Sequence, residues 1–115
     1  MKRNQRDTVP VSARNLRLDA GLSGAQVATR MGVSQSAITN LERRYGSPAA
    51  STVVRFLEAV ERPDLADQVR SAARALAAVR RGQEPRTPVL FEHFKASGYL
   101  YLAELMKSVT KKHLS

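Results

Sequence analysis

Residues 23 to 44 decide the fold; they read SGAQVATRMGVSQSAITNLERR. Serine is a favoured residue at the first capping position of a helix, so Ser23 and Ser34 predict two helix starts. Gly32 falls between the two predicted helices, where a sharp turn with positive φ suits glycine. The stretch therefore predicts two short helices joined by a tight turn.

Apolar side chains follow helical spacing through the same stretch. The expected inward positions are Val27, Ala28 and Met31 on the first helix and Ala37, Ile38 and Leu41 on the second, with Val33 in the corner between them. A small residue, a turn glycine and paired apolar residues at these offsets are typical of a helix-turn-helix motif. An ordinary αα-hairpin is the less favoured alternative.

The outward face of the second helix carries polar side chains. They are Gln35, Ser36, Thr39, Asn40, Arg43 and Arg44. Glutamine and asparagine can pair with adenine through two hydrogen bonds, serine can donate or accept one, and arginine reaches phosphate or guanine. This face therefore predicts contact with DNA.

The rest of the chain favours an all-α fold. Helical patterns are predicted at 14–22, 51–60, 64–81 and 89–114, the last one bent near Gly98. Two prolines make 83–88 a predicted linker. The predicted organisation is a flexible basic arm at 1–10, a helix-turn-helix domain at 11–62 and a helical C-terminal extension at 63–115.

Composition and charge narrow the function. Nineteen Lys and Arg stand against ten Asp and Glu, giving a net charge of +9, which attracts polyanions such as nucleic acid. The chain has no cysteine and no run of about 20 apolar residues, so thiolate metal sites and membrane spans are excluded and a cytoplasmic location is expected. His93 and His113 lack metalloprotease spacing, so we predict no enzyme, no metal and no cofactor.

Residues 11–62 resemble the Xre family, whose members are similar to lambda repressor and Cro. The resemblance lies in GLS at 21–23, VA at 27–28 and MGVSQSAITNLE at 31–42. It implies a domain of four to five short helices, in which Gln35, Ser36 and Asn40 read bases with Thr39 beside them. It also implies an ion pair between Arg17 and Glu42.

The same resemblance implies where the phosphate backbone runs. Arg43, Arg44 and Ser47 match the loop that follows the backbone in that family, and Ser34 is a further candidate contact at the start of the second helix. Family members usually have glutamine where this chain has Gly24. Ser23 and Gln26 are therefore the candidates for phosphate contact at that end of the motif.

We expect a sequence-specific regulator of transcription that binds double-stranded DNA, a repressor acting as a homodimer on an inverted-repeat operator. Lys2, Arg3 and Arg6 either wrap around the duplex or only keep the chain in solution. Candidates for the dimer interface are Leu65, Val69, Leu76, Val79, Phe91, Phe94, Leu102, Leu105 and Met106. Protein partners are the alternative: a toxin, which would make the chain an autoregulating antitoxin, RNA polymerase, or contacts of an adaptor.

Overall fold

The computed structural model describes residues 11–43 and 46–110, and these residues form seven helices. They are α1 (Ala13–Asp19), α2 (Gly24–Met31), α3 (Gln35–Glu42), α4 (Ala50–Ala59), α5 (Pro63–Val79), α6 (Thr87–Ala96) and α7 (Leu100–Val109). The predicted all-α fold of the lambda-repressor type is confirmed. The predicted arm at 1–10, Arg44 and the end of the last predicted segment lie outside the described residues.

Side chains of serine begin the first three helices. The hydroxyl of Ser12 accepts the N–H of Asn15 at 3.1 Å, and that of Ser34 accepts the N–H of Ala37 at 3.2 Å. These bonds satisfy backbone donors that the first turn of a helix leaves without partners. Short helices of low intrinsic stability thereby gain defined starting points.

The long C-terminal pattern divides into two helices at Gly98. This glycine has a φ of 83°, a left-handed conformation that ends α6. The sequence predicted one bent segment, whereas the structure has a helical hairpin in which α6 packs closely on α7. The predicted linker is also shorter than expected, because Thr87 and Pro88 already belong to the first turn of α6.

One apolar core joins both halves of the chain. Its fully buried side chains include Leu16 of α1, Phe56 of α4, Leu90 of α6 and Met106 of α7. Helix α7 packs against α1 and α3 as well as against α6. The C-terminal helices therefore complete the core that supports α3.

This packing corrects several expectations about exposure. Six predicted interface side chains are buried within the chain itself: Leu65, Val69, Phe94, Leu102, Leu105 and Met106. They cannot contact a second subunit unless the chain unpacks, so the prediction is wrong for them. Leu76 and Phe91 are half-buried against the same core, and Val79 is 81% exposed. Ala37 was predicted to face inward, but it is exposed. The buried side chains of α3 are Ile38 and Leu41.

Two arginines join the carboxyl ends of α2 and α4. Arg30 of α2 donates from Nη1 to the carbonyl oxygen of Ala59 at 2.9 Å and to the carboxylate of Glu61 at 3.0 Å. Arg55 of α4 donates in the other direction, to the carbonyl oxygen of Met31. Each helix thus supplies a cation to the negative end of the other.

None of the described helices is both long and apolar enough to cross a membrane.

Candidate nucleic-acid interface

Helix α3 is anchored on one side and open to solvent on the other. Ile38 is 2% exposed and Leu41 is 7% exposed, and both belong to the core. The four side chains predicted to contact bases are all exposed: Gln35, Ser36, Thr39 and Asn40. The structure therefore brings these four together on a free polar surface that a rigid core supports.

The turn before α3 fixes its angle to α2. Gly32 has a φ of 69°, and the N–H of Val33 donates to the carbonyl oxygen of Ala28 at 3.0 Å. Only glycine adopts such a φ without strain, so the chain can reverse direction within a few residues. Ala28 is 4% exposed, and its small side chain lets the two helices approach closely.

Arg17 and Glu42 hold the carboxyl end of α3, as the family resemblance implies. Arg17 Nε donates to one oxygen of Glu42 at 2.6 Å, and Nη2 donates to the other at 3.0 Å. A third bond runs from Nη1 to the carbonyl oxygen of Leu22 at 3.0 Å. The pair therefore connects α1, the loop before α2 and the end of α3.

The pair of Arg17 and Glu42 neutralises the one acid of α3. The hydrogen bond to Glu42 raises the pKa of the Arg17 guanidinium, although burial acts in the opposite direction. The side chains are only 14% and 10% exposed. Because Arg17 compensates the Glu42 carboxylate, α3 presents little negative charge at its carboxyl end.

Three predicted backbone contacts also serve as helix caps. The Ser23 N–H donates to Gln26 Oε1 at 2.8 Å, and the Gln26 N–H donates to Ser23 Oγ at 3.1 Å. These bonds use side-chain oxygens of both residues, and the cap at Ser34 uses its oxygen in the same way. Hydroxyl O–H groups and the Gln26 amide N–H₂ are donors, which is what a phosphate needs.

Gly24 leaves room at the start of α3. A Cβ atom at this position would lie 3.9 Å from Nε2 of Gln35. The first turns of α2 and α3 are therefore adjacent, and the amide of Gln35 meets no side chain at residue 24. The side chain of Gln35 is exposed beside this position.

The loop after the carboxyl end of α3 contains both exposed and half-buried residues. Arg43 caps the helix and is exposed, whereas Ser47 is half-buried. The carbonyl oxygen of Ser47 accepts a hydrogen bond from Arg86 Nη1 at 2.5 Å. Arg86 lies in the predicted linker, and no local pattern in the sequence relates it to Ser47, which is 39 positions earlier.

The described residues offer little to a metal ion. Within 11–43 and 46–110 there is no group of three or more His, Asp or Glu side chains placed to hold one.

The fold and the exposed face of α3 define a helix-turn-helix protein of the DNA-binding class. A family model described as a helix-turn-helix domain matches residues 12–69. The chain belongs to this family, which lies within the Xre/Cro-like group of DNA-binding regulators. Neither a curated protein nor a solved structure matches the chain. The family match ends inside α5, so segment 83–87 and helices α6 and α7 lie beyond it.

Proposed function

We propose that the chain is a sequence-specific repressor that binds an inverted-repeat operator in double-stranded DNA as a homodimer. The observation that carries this proposal is the exposed polar face of α3, which the core holds by Ile38 and Leu41. A random surface helix would carry a mixture of acids and bases. This face instead carries amides and hydroxyls, and its one acid, Glu42, is paired with Arg17.

The dimensions of α3 suit the major groove. A helix with its side chains is about 10–12 Å across, which fits the width of about 12 Å of that groove in B-DNA. Gln35 and Ser36 lie in the first turn, the part of such a helix that reaches base edges. Thr39 and Asn40 follow one turn later on the exposed side.

Backbone contacts would flank the groove. Arg43 stands at the end of α3, and Arg44 follows it in the sequence. Lys2, Arg3 and Arg6 would add phosphate contacts from the arm. Such contacts supply affinity and orientation and contribute little to base selection.

A homodimer would place two copies of α3 in successive major grooves, with half-site centres about 34 Å apart. The apolar side chains that remain exposed are the candidates for this contact. The exposed large apolar residues in the described part of the chain are Leu18, Val79, Tyr99, Leu100 and Tyr101. Light scattering at micromolar concentration should give the mass of a dimer, and a monomer mass would contradict this part of the proposal.

The antitoxin alternative receives less support from the fold. Capture of a toxin by the C-terminal segment requires apolar side chains that are free to bind it. Leu90, Leu102 and Met106 are instead at most 2% exposed within the chain itself. Repression by occlusion of a promoter needs no such segment, and contact with RNA polymerase would use the remaining exposed surface.

Selection from a randomised duplex library tests the proposal. The purified protein is mixed with the library, and the retained DNA is sequenced. We expect enrichment of an inverted repeat with half-sites one helical turn apart. Retention of DNA without any enriched sequence would show that the charge of +9 binds duplexes non-specifically, and would contradict sequence-specific regulation.

A further inference from the structure

Segment 84–87 is joined to the residues that connect α3 with α4. Ala49 and Arg86 form an isolated antiparallel bridge, with bonds from the N–H of Thr87 to the Pro48 carbonyl at 3.1 Å and from the N–H of Ala50 to the Pro85 carbonyl at 3.0 Å. The N–H of Ser51 donates to the Glu84 carboxylate at 2.6 Å. A segment from beyond the family match thus becomes part of the loop after α3.

Alternation along this segment turns Arg86 outward. Pro85 and Thr87 are buried, whereas Arg86 between them is exposed. Its guanidinium reaches back over the loop, where Nη1 donates to the carbonyl oxygen of Ser47 at 2.5 Å. The backbone bridge fixes the position of the Arg86 Cα atom, and the hydrogen bond to Ser47 fixes the position of its guanidinium.

Arg86 differs from several other arginines in the partners that the described part of the chain gives it. Four arginines, Arg17, Arg30, Arg62 and Arg70, form ion pairs with carboxylates. Among the residues that the structure describes, no carboxylate forms an ion pair with Arg86, and its described partner is a carbonyl. A guanidinium has five N–H donors in a planar fork, so donors remain for a second acceptor such as a phosphate.

The loop that contains Ser47 directly follows the carboxyl end of α3. With α3 in the major groove as proposed, and with its first turn at the base edges, the chain that leaves its carboxyl end would run toward the phosphates at the groove edge. Ser47 lies in that part of the chain, and Arg86 is hydrogen-bonded to it. The nearest acid along the segment, Glu84, is held at the positive end of α4, where the helix dipole offsets part of its charge.

We propose that Arg86 is a DNA phosphate contact, supplied by the segment between α5 and α6 to the edge of the groove that α3 enters. This inference rests on the proposed DNA-binding function and adds to it. The segment that follows the family domain would then serve binding directly, and the bridge to Ala49 would hold the cation in place before DNA arrives.

The salt dependence of operator binding tests this role. Arg86→Gln removes the charge and keeps a hydrogen-bond donor for Ser47, and Arg86→Lys keeps the charge. The matched control is Arg74→Gln, an exposed arginine on α5, which packs mainly on α4 and α6. The dissociation constant of each full-length variant is measured from 50 to 200 mM KCl on the selected operator and on an unrelated duplex.

The loss of one phosphate contact should reduce the slope of log affinity against log salt by about one. We expect this change for Arg86→Gln on both duplexes, with binding about three- to tenfold weaker at 50 mM KCl. Arg86→Lys should keep most of the slope, and Arg74→Gln should leave it unchanged.

The other outcomes are distinct. An unchanged slope for Arg86→Gln overturns the inference. If the midpoint of urea unfolding is also lower in this variant, the role of Arg86 is purely structural. If the slope falls equally in the Arg74→Gln control, the effect is one of net charge and the inference is again overturned. If the parent protein binds neither duplex, the proposed function itself fails, and the inference fails with it.

Discussion

At the scale of single residues, the two ends of α3 are held in different ways. At its start, Ser34 caps the first turn and Gly24 places no side chain against the amide of Gln35. Its end is fixed, because Glu42 is bound through both carboxylate oxygens. The candidate base contact Gln35 is thus exposed at one end of α3, whereas Glu42 is held by two hydrogen bonds at the other.

Gln35→Ala should weaken binding to the selected operator by about 1–3 kcal/mol and relax the base preference at one position. The physical reason is the loss of a side chain that can form two hydrogen bonds with one base. Titration of labelled operator and of its single-base variants measures both effects. Arg43→Ala is the comparison: it should weaken all sequences to a similar extent, and an effect confined to one base would contradict its phosphate role.

Arg17→Met should lower the free energy of unfolding by about 3–5 kcal/mol, because it leaves the nearly buried Glu42 carboxylate without its partner. The double variant Arg17→Met/Glu42→Met should lose less, since no unpaired charge remains. Urea denaturation of the two single variants and the double variant measures the coupling. Additive losses would show that the two side chains act independently.

At the scale of elements, the turn between α2 and α3 depends on one backbone conformation. A Cβ at Gly32 would meet nothing within 4 Å, so space is not the obstacle to substitution there. The φ of 69° is the obstacle, since an L-residue in this conformation is strained.

Gly32→Ala should therefore lower the free energy of unfolding by about 1–2 kcal/mol. Gly32→Asn should lose less, because asparagine tolerates the left-handed region better than alanine. Thermal unfolding followed by circular dichroism compares the two variants with the parent. Equal stability of Gly32→Ala and the parent would mean that the turn relaxes to a different geometry.

Local sequence patterns predicted where the helices lie better than they predicted which elements pack against them. Capping serines and the turn glycine were sufficient to place α2 and α3, since these signals act within a few residues. The spacing of Leu65, Val69 and Leu76 was correctly interpreted as helical, but it resembled the seam of a dimer. Spacing shows which side of a helix is apolar and does not show which element covers that side, and here α4 and α6 cover it.

At the scale of the whole molecule, the core is continuous from α1 to α7. Side chains from the family-matched part and from the C-terminal hairpin belong to one buried cluster. The helices beyond the family match should therefore unfold together with the motif that they support.

Leu90→Ala tests this cooperativity, because Leu90 is fully buried in α6. The free energy of unfolding should fall by about 2–5 kcal/mol. Hydrogen exchange should show lower protection in α2 and α3 as well as in α6 and α7. The control is Glu92→Ala, an exposed side chain of the same helix, whose effect should lie within about 0.5 kcal/mol. A second, unaffected unfolding transition would show that the two halves are independent.

Local patterns in the sequence could not predict the contacts between residues that are far apart in the chain. The family resemblance implied the pair of Arg17 and Glu42, although the two residues are 25 positions apart. Nothing comparable pointed to Arg86, because its place beside Ser47 depends on the path of α5 and on the bridge to Ala49.

The arginine bonds between α2 and α4 have a consequence for how binding is driven. Because Arg30 and Arg55 each donate to the carbonyl end of the opposite helix, fraying at either end breaks a bond between the two helices. A motif braced in advance loses little conformational entropy when it meets a duplex. The temperature dependence of association should then reflect mainly the release of counterions and water, with little contribution from folding of the protein.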